Sequence, residues 1–169
     1  MSGNSPDSNL ASWLRPGSML PDLHAASPEG VFEELAAGIA RAVPGLSAAG
    51  LRNGLVEREE LGTTAIGDGF AIPHCRLPGS SAVLLHVARH PQGVDFGAPD
   101  GKAVHLFFTL VAPQTGVSDH LEALRAIARF LRDPERRALV LAAQGTEDLL
   151  AQLRGSPAGS TLRKVTANV

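Results

Sequence analysis

The run Ala103–Ala112, AVHLFFTLVA, constrains the fold of this chain more than any other segment. Val104, Leu106, Phe107, Phe108, Leu110 and Val111 occupy both alternating sides of an extended segment, so the pattern is near-continuous rather than period two. A strand of that kind is buried on both faces, and its sheet needs helices on each side. With aromatics at 4% and no Tyr, Leu, Val, Ile and Ala must fill most of those layers.

Helical segments flank the strands on both sides in sequence. Ser27 is a candidate N-cap, followed by Pro28 at the first helical position, and Val31, Phe32, Leu35, Ile39 and Val43 repeat at helical spacing up to Pro44-Gly45. A second helix starts at Ser47, carries Leu51, Leu55 and Val56, and runs out near Arg58-Glu59-Glu60. Short strands and a glycine turn occupy Gly62 to Ile72, a further strand is predicted over Ala82–Ala88, and Val94–Gly101 reads as a turn-rich connection. The C-terminal third predicts three helices. Ser118 caps the first, with Leu121, Leu124, Ile127, Ala128 and Leu131 on its buried face; Asp133-Pro134 opens the second through Ala142; Thr146 caps the third through Leu153. Near the N-terminus, Leu10–Leu14 predicts one helical turn and Met19–Leu23 a short edge strand. These elements compose a single α/β domain: a mixed β-sheet of about five strands flanked by helices on both faces. The domain is expected over residues 10–154, between flexible tails at residues 1–9 and 155–169.

Composition removes several function classes. A net charge of −2 and a pI near 6.3 give no sign of a nucleic-acid partner. No apolar run reaches the roughly 18 residues a membrane span needs, and the polar N-terminus lacks the layout of a signal peptide, so membrane insertion is not expected and the cytoplasm is. One cysteine leaves neither a disulfide framework nor a Cys-rich zinc site.

The chemistry concentrates at Gly67-Asp68-Gly69-Phe70-Ala71-Ile72-Pro73-His74-Cys75. Pro73 has a fixed φ and pushes Ile72 toward extended geometry, so His74 stands on stiff backbone beside a glycine turn. A neutral imidazole nitrogen can attack a phosphoryl group at neutral pH. Such transfer then asks for positioning and for donors to the phosphoryl oxygens. Arg58, at the end of the second helix, offers a guanidinium fork. His120, in the first turn of the Ser118 helix, offers an imidazole beside free backbone N–H groups.

Several segments, in order, resemble the fructose/mannitol-type (type 2) enzyme IIA of the bacterial phosphotransferase system. They are Glu57-Arg58-Glu59-Glu60-Leu61-Gly62-Thr63-Thr64, Ile66–Cys75, Gly93-Val94-Asp95-Phe96 with Asp100-Gly101, Leu110-Val111-Ala112-Pro113, His120-Leu121 and Ala128–Asp133. The resemblance implies that His74 is the phosphorylated nucleophile, Arg58 the arginine that steadies the phosphoryl group and His120 the second active-site histidine. It implies an HPr-like phosphocarrier as donor, and no metal or organic cofactor, because donor and acceptor are protein side chains. A member of the nitrogen-regulatory branch would use the phosphate as a switch on binding regulatory target proteins. A sugar-specific member would pass it to the cysteine of an enzyme IIB domain. The sequence departs from the family pattern at Phe70, at Asp68, expected to point outward, and at Thr63-Thr64-Ala65.

Rival readings have a physical weakness. Cys75 follows His74 in an extended segment, so the two side chains face opposite ways and Cys75 reads as a packing residue. His86 and His90, on one face of a strand, would stand about 13 Å apart, too far to share one metal ion. His105 and His24 join no ligand pattern.

Overall fold

The computed structural model describes residues 8–116 and 118–155. Along the chain run α1 (Ser8–Ala11), α2 (Pro28–Ala42), α3 (Ala48–Glu60), β1 (Ala65–Gly67), β2 (Phe70–Ala71), β3 (His74–Arg76), β4 (Leu84–Val94), β5 (Val104–Ala112), α4 (Ser118–Arg132), α5 (Pro134–Leu141) and α6 (Thr146–Leu153). The tails expected at residues 1–9 and 155–169 fall, for 1–7 and 156–169, outside the described residues, while Ser8 and Asn9 open α1.

β5 is the spine of a five-stranded mixed sheet. Its residues are buried on both faces except His105, which is half-buried, as the near-continuous apolar run predicts. β4 pairs with it antiparallel, Leu85 opposite Leu110 and Val87 opposite Phe108. Along the other side, β2 and β3 run parallel to β5 as one extended segment split at Ile72-Pro73. Pro73 has no N–H to give, but its carbonyl accepts from the Leu110 N–H at 2.9 Å, so the ladder continues across the break. β1 pairs antiparallel with β2. One sheet face carries Ala71, Cys75, Ala88, Phe107 and Val111 against α2 and α3; the other carries Phe70, Leu85, Val87, Leu106 and Phe108 against α1, α4, α5 and α6. Among the described residues no helix is long and apolar enough to cross a membrane.

Caps and stops follow local chemistry. The Ser27, Ser47 and Asp133 side chains accept from the N–H groups of Gly30, Gly50 and Glu135. Four expectations need correction. Ser118 and Thr146 are the first residues of their helices, not caps; Gly145 precedes α6 and makes no side-chain cap bond. Met19–Leu23 forms only a single bridge, Met19 to Val87, with further backbone bonds from Leu20 to Val87 and Leu23 to Arg89. β4 continues past Ala88 to Val94 through polar residues, with a register irregularity between Arg89 and Val94. There Arg89 grips both Asp22 carboxylate oxygens, at 2.9 and 2.7 Å, and donates to the Ala143 carbonyl at 2.7 Å, so packing and pairing override a weak strand pattern.

The fourth correction matters for function. α4 buries His120, Ala123, Ala126, Ile127, Phe130 and Leu131, while Leu121 and Ala128 are exposed. The helix is therefore turned by about one residue, about 100°, from the face on which Leu121 and Ala128 lie inward. Small Ala123 and Ala126 face the core, and the rotation carries His120 inward.

Candidate functional site

The turn ahead of the site uses left-handed backbone at three successive residues, Gly67 (φ 93°), Asp68 (φ 56°) and Gly69 (φ 94°). Aspartate is among the side-chain-bearing residues that accept this region most readily. Its N–H donates to the Asp100 carboxylate at 2.8 Å, and its own carboxylate is exposed, 3.9 Å from Lys102 Nζ. Asp68 thus points to solvent, as expected. From this turn the chain passes through β2 and Pro73 to His74, which is half-buried.

Backbone chemistry assigns the His74 tautomer. Its Nδ1 lies 2.9 Å from the Ile72 carbonyl oxygen, which can only accept, so Nδ1 carries the proton. Nε2 then holds the lone pair, and Arg58 Nε–H donates to it at 3.1 Å. Arg58 comes from the last turn of α3 and is braced by Nη1 donating to the Gly62 carbonyl at 2.9 Å. Burial first, and the Arg58 charge further, hold the His74 pKa below its ordinary value, against the Ile72 carbonyl and Glu59, which raise it. The ring is neutral at neutral pH.

His120, in the first turn of α4, completes the cluster. Its ring centroid lies 5.5 Å from that of His74, at an interplanar angle of 53°. Its Nδ1 is buried with no hydrogen-bond partner among the described residues. Burial, then the neighbouring His74 and Arg76, lower its pKa. The structure therefore brings together all three residues singled out in the sequence, on an open cleft of about 430 Å³ that Glu57, Leu61 and Arg76 also line.

Two contributors carry no role in the sequence reading. Arg76 stands two residues after His74, on the same side of the strand; period two was the signal that could find it. Its Nη1 donates to the Pro113 carbonyl at 2.9 Å and lies 3.4 Å from that of Gly116, tying the strand to the loop before α4. Glu59 accepts from the Thr64 N–H at 3.0 and 3.2 Å and from its hydroxyl at 2.6 Å, closing the loop that leads from Arg58 toward the site. A contact between a helix end and a loop leaves no mark in sequence periodicity.

Cys75 faces the other way, as alternation predicts. A Cβ on Gly54 of α3 would stand 3.1 Å from the Cys75 Cβ and 3.3 Å from its sulfur, so glycine makes room for the close approach of helix and strand. Burial pushes the thiol up to about 11, which leaves it un-ionised. The other sheet histidines bond locally or lie in the core. His90 Nε2 donates to the Ala25 carbonyl at 2.8 Å, and His105 Nδ1 to that of His90 at 3.1 Å. Among the described residues no group of three or more His, Cys, Asp or Glu is arranged to hold a metal ion.

Residues 13–155 match the family profile described as phosphoenolpyruvate-dependent sugar phosphotransferase system, EIIA 2. A nitrogen regulatory protein of Pseudomonas aeruginosa is 35% identical over 160 residues, covering 95% of this chain and 96% of that protein. One from Bradyrhizobium diazoefficiens is 38% identical over 149 residues, 88% of this chain and 97% of the relative. Among solved structures, the nitrogen regulatory protein IIA-Ntr of Neisseria meningitidis superposes with a TM-score of 0.76 at 32% identity, over 85% of this chain and 98% of that one. The mannitol enzyme IIA of Escherichia coli, solved in complex with phosphorylated enzyme IIB, shares the fold at a TM-score of 0.66 and 17% identity, over 84% of this chain and 97% of that one. The chain belongs to the type 2 enzyme IIA family of the phosphotransferase system.

Proposed function

We propose that the protein is a cytoplasmic phosphocarrier that accepts a phosphoryl group at His74 Nε2 from the phosphohistidine of an HPr-like protein. The observation that carries this reading is the fixed tautomer. A backbone carbonyl holds the proton on Nδ1, so Nε2 presents a lone pair to an open cleft with Arg58 and His120 beside it.

In the proposed step the lone pair of His74 Nε2 forms the new P–N bond as the donor's P–N bond breaks, and that electron pair returns to the donor imidazole. Nε2 carries no proton, so none has to leave before attack. The ring becomes cationic on phosphorylation, and the Ile72 carbonyl that accepts from Nδ1–H steadies that charge. Arg58 covers Nε2 in the free protein and must swing aside by a side-chain rotation. Its guanidinium then stays close enough to donate to phosphoryl oxygens, with His120 on the other side.

The same reading places the protein in the nitrogen-regulatory branch, where phosphorylation acts as a switch on binding to regulatory target proteins. Similarity to nitrogen regulatory proteins over 95% and 88% of this chain supports that branch. A second reading, transfer onward to the cysteine of a IIB domain, draws on the shared fold of the mannitol enzyme solved with its phosphorylated IIB partner.

The test is incubation with phosphoenolpyruvate, enzyme I and an HPr-like carrier, followed by peptide mapping of acid-labile phosphate. Label on His74 is the expected result, and label elsewhere or none overturns the assignment. Adding a IIB domain separates the two readings: phosphate retained on His74 favours regulation, and phosphate moved to the IIB cysteine favours transport.

A further inference from the structure

The solvent side of α4 carries a second feature that phosphotransfer does not use. Leu121, Arg125, Ala128 and Arg132 succeed one another at intervals of four, three and four residues, so they share one face, opposite the buried one. All four are exposed, Leu121 by 42%. Beside this stripe, α4 and the β1–β2 hairpin enclose a groove of about 470 Å³. Ile66, which is 51% exposed, and Ile72, Ala128 and Leu131 line it with apolar surface, and Arg132 and Arg137 line it with charge. The groove and the cleft share no lining residue, and Arg132 lies about 18 Å along the helix from His120.

These cations are not neutralised from within. Arg125 and Arg132 have no hydrogen-bond or ion-pair partner among the described residues, and Arg137 donates to a backbone carbonyl, that of Leu131, at 2.7 Å. Asp68, at the hairpin end of the groove, faces Lys102. A positive rim around an apolar floor, on a chain whose net charge is −2, calls for carboxylates from outside. The chain's own C-terminal segment does not supply them: residues 156–169 contain Arg163 and Lys164 and no Asp or Glu.

We propose that this groove docks an acidic segment of a partner protein, whose apolar side chains seat on Ile66, Ala128 and Leu131 while its carboxylates pair with Arg125, Arg132 and Arg137. The apolar floor favours a peptide over nucleic acid, for which the site offers no stacking aromatic at its surface. The small area, with Glu122 and Asp133 also exposed near it, favours a peptide over an anionic membrane. This inference deepens the regulatory reading by giving it a second contact surface, but its test needs no phosphoryl donor, so either can fail alone.

The test uses the full chain, labelled with ¹⁵N, and a fluorescent synthetic peptide with Glu and Leu alternating at helical spacing. A charge-inverted peptide with Lys in place of Glu, heparin, and phosphatidylglycerol vesicles serve as comparisons. Expected are amide shifts confined to residues 121–137 and 65–72, and binding weakened at least tenfold by the pair Arg125→Glu and Arg132→Glu. Ile66→Ser should weaken binding severalfold with charge unchanged, and His74→Ala should leave it intact. Shifts centred on His74, equal binding of the Lys peptide, stronger retention on heparin or vesicles, or no binding of the acidic peptide at millimolar concentration would each overturn the proposal. Circular dichroism of the variants excludes loss of fold as the cause.

Discussion

His74 and His86 are imidazoles on one sheet, and burial lowers the pKa of both. Their surroundings differ in every other respect. His86 sits in β4 opposite Thr109 of β5, 3% exposed, and neither its Nδ1 nor the Thr109 hydroxyl finds a hydrogen-bond partner among the described residues. His74 sits where an extended segment is interrupted by proline and where the end of α3 and the start of α4 converge. Both of its nitrogens are engaged, one by a carbonyl and one by a guanidinium, and the ring borders open space. A perturbed pKa therefore does not mark the site. A reachable lone pair with a cation beside it does, and only His74 of the two has one.

The sharpest way to break this contrast is removal of His74. His74→Ala should abolish phosphorylation by an HPr-like donor while leaving the thermal midpoint nearly unchanged; phosphate retained on the variant would move the site elsewhere. In the parent protein the transfer rate should fall on the acid side with a midpoint below pH 6.5, because the His74 pKa lies under the ordinary histidine value. A midpoint above pH 6.5 would contradict the neutral, carbonyl-fixed tautomer.

Arg58→Ala should slow single-turnover transfer by about 10²–10³-fold, the usual effect of deleting one donor to developing charge. An unchanged rate would reduce the arginine to a brace on the Gly62 carbonyl. For His86 the effect should appear in stability instead. Its pKa is pushed down to about 4 when folded, so between pH 6.5 and 4 the unfolded chain binds the extra proton. Stability is present above pH 6.5 and falls as pH drops, by about 3 kcal/mol in total. Urea titrations across that range should show a shallower slope for His86→Leu, with phosphorylation of His74 retained; an unaltered slope would remove His86 as the cause. The smallest effect should come from Cys75→Ser, which buries a hydroxyl where a thiol packed: about 1–2 kcal/mol of stability by urea titration, with no change in transfer rate. A loss of transfer there would reopen the thiol as a participant.

The elements read correctly from sequence are those whose signals are local. Ser27 with Pro28, Ser47, and Asp133 with Pro134 set helix starts because a cap satisfies backbone N–H groups within its own turn. β4 beyond Ala88 was not legible, because Arg89, His90 and Gln92 join a strand only through pairing with β5 and the grip of Arg89 on Asp22. The face of α4 was legible only in part, for a related reason. Ile127 and Leu131 are buried as the spacing predicts, but Leu121 and Ala128 extend that stripe as plausibly as Ala123 and Phe130, and only packing against the sheet selects the second pair.

The sequence by itself determined the layered plan and the histidine. A run apolar on both sides must be covered on both sides, and a proline must stiffen the chain beside it, whatever the rest does. Tertiary structure decided what that histidine meets. Arg58 and His120 belong to segments far from His74 in the chain, and they converge on it only because α3 closes on β3 through the space left by Gly54 and α4 packs its small face on the sheet. Distances between separate elements are set by such packing, and no local signal encodes them.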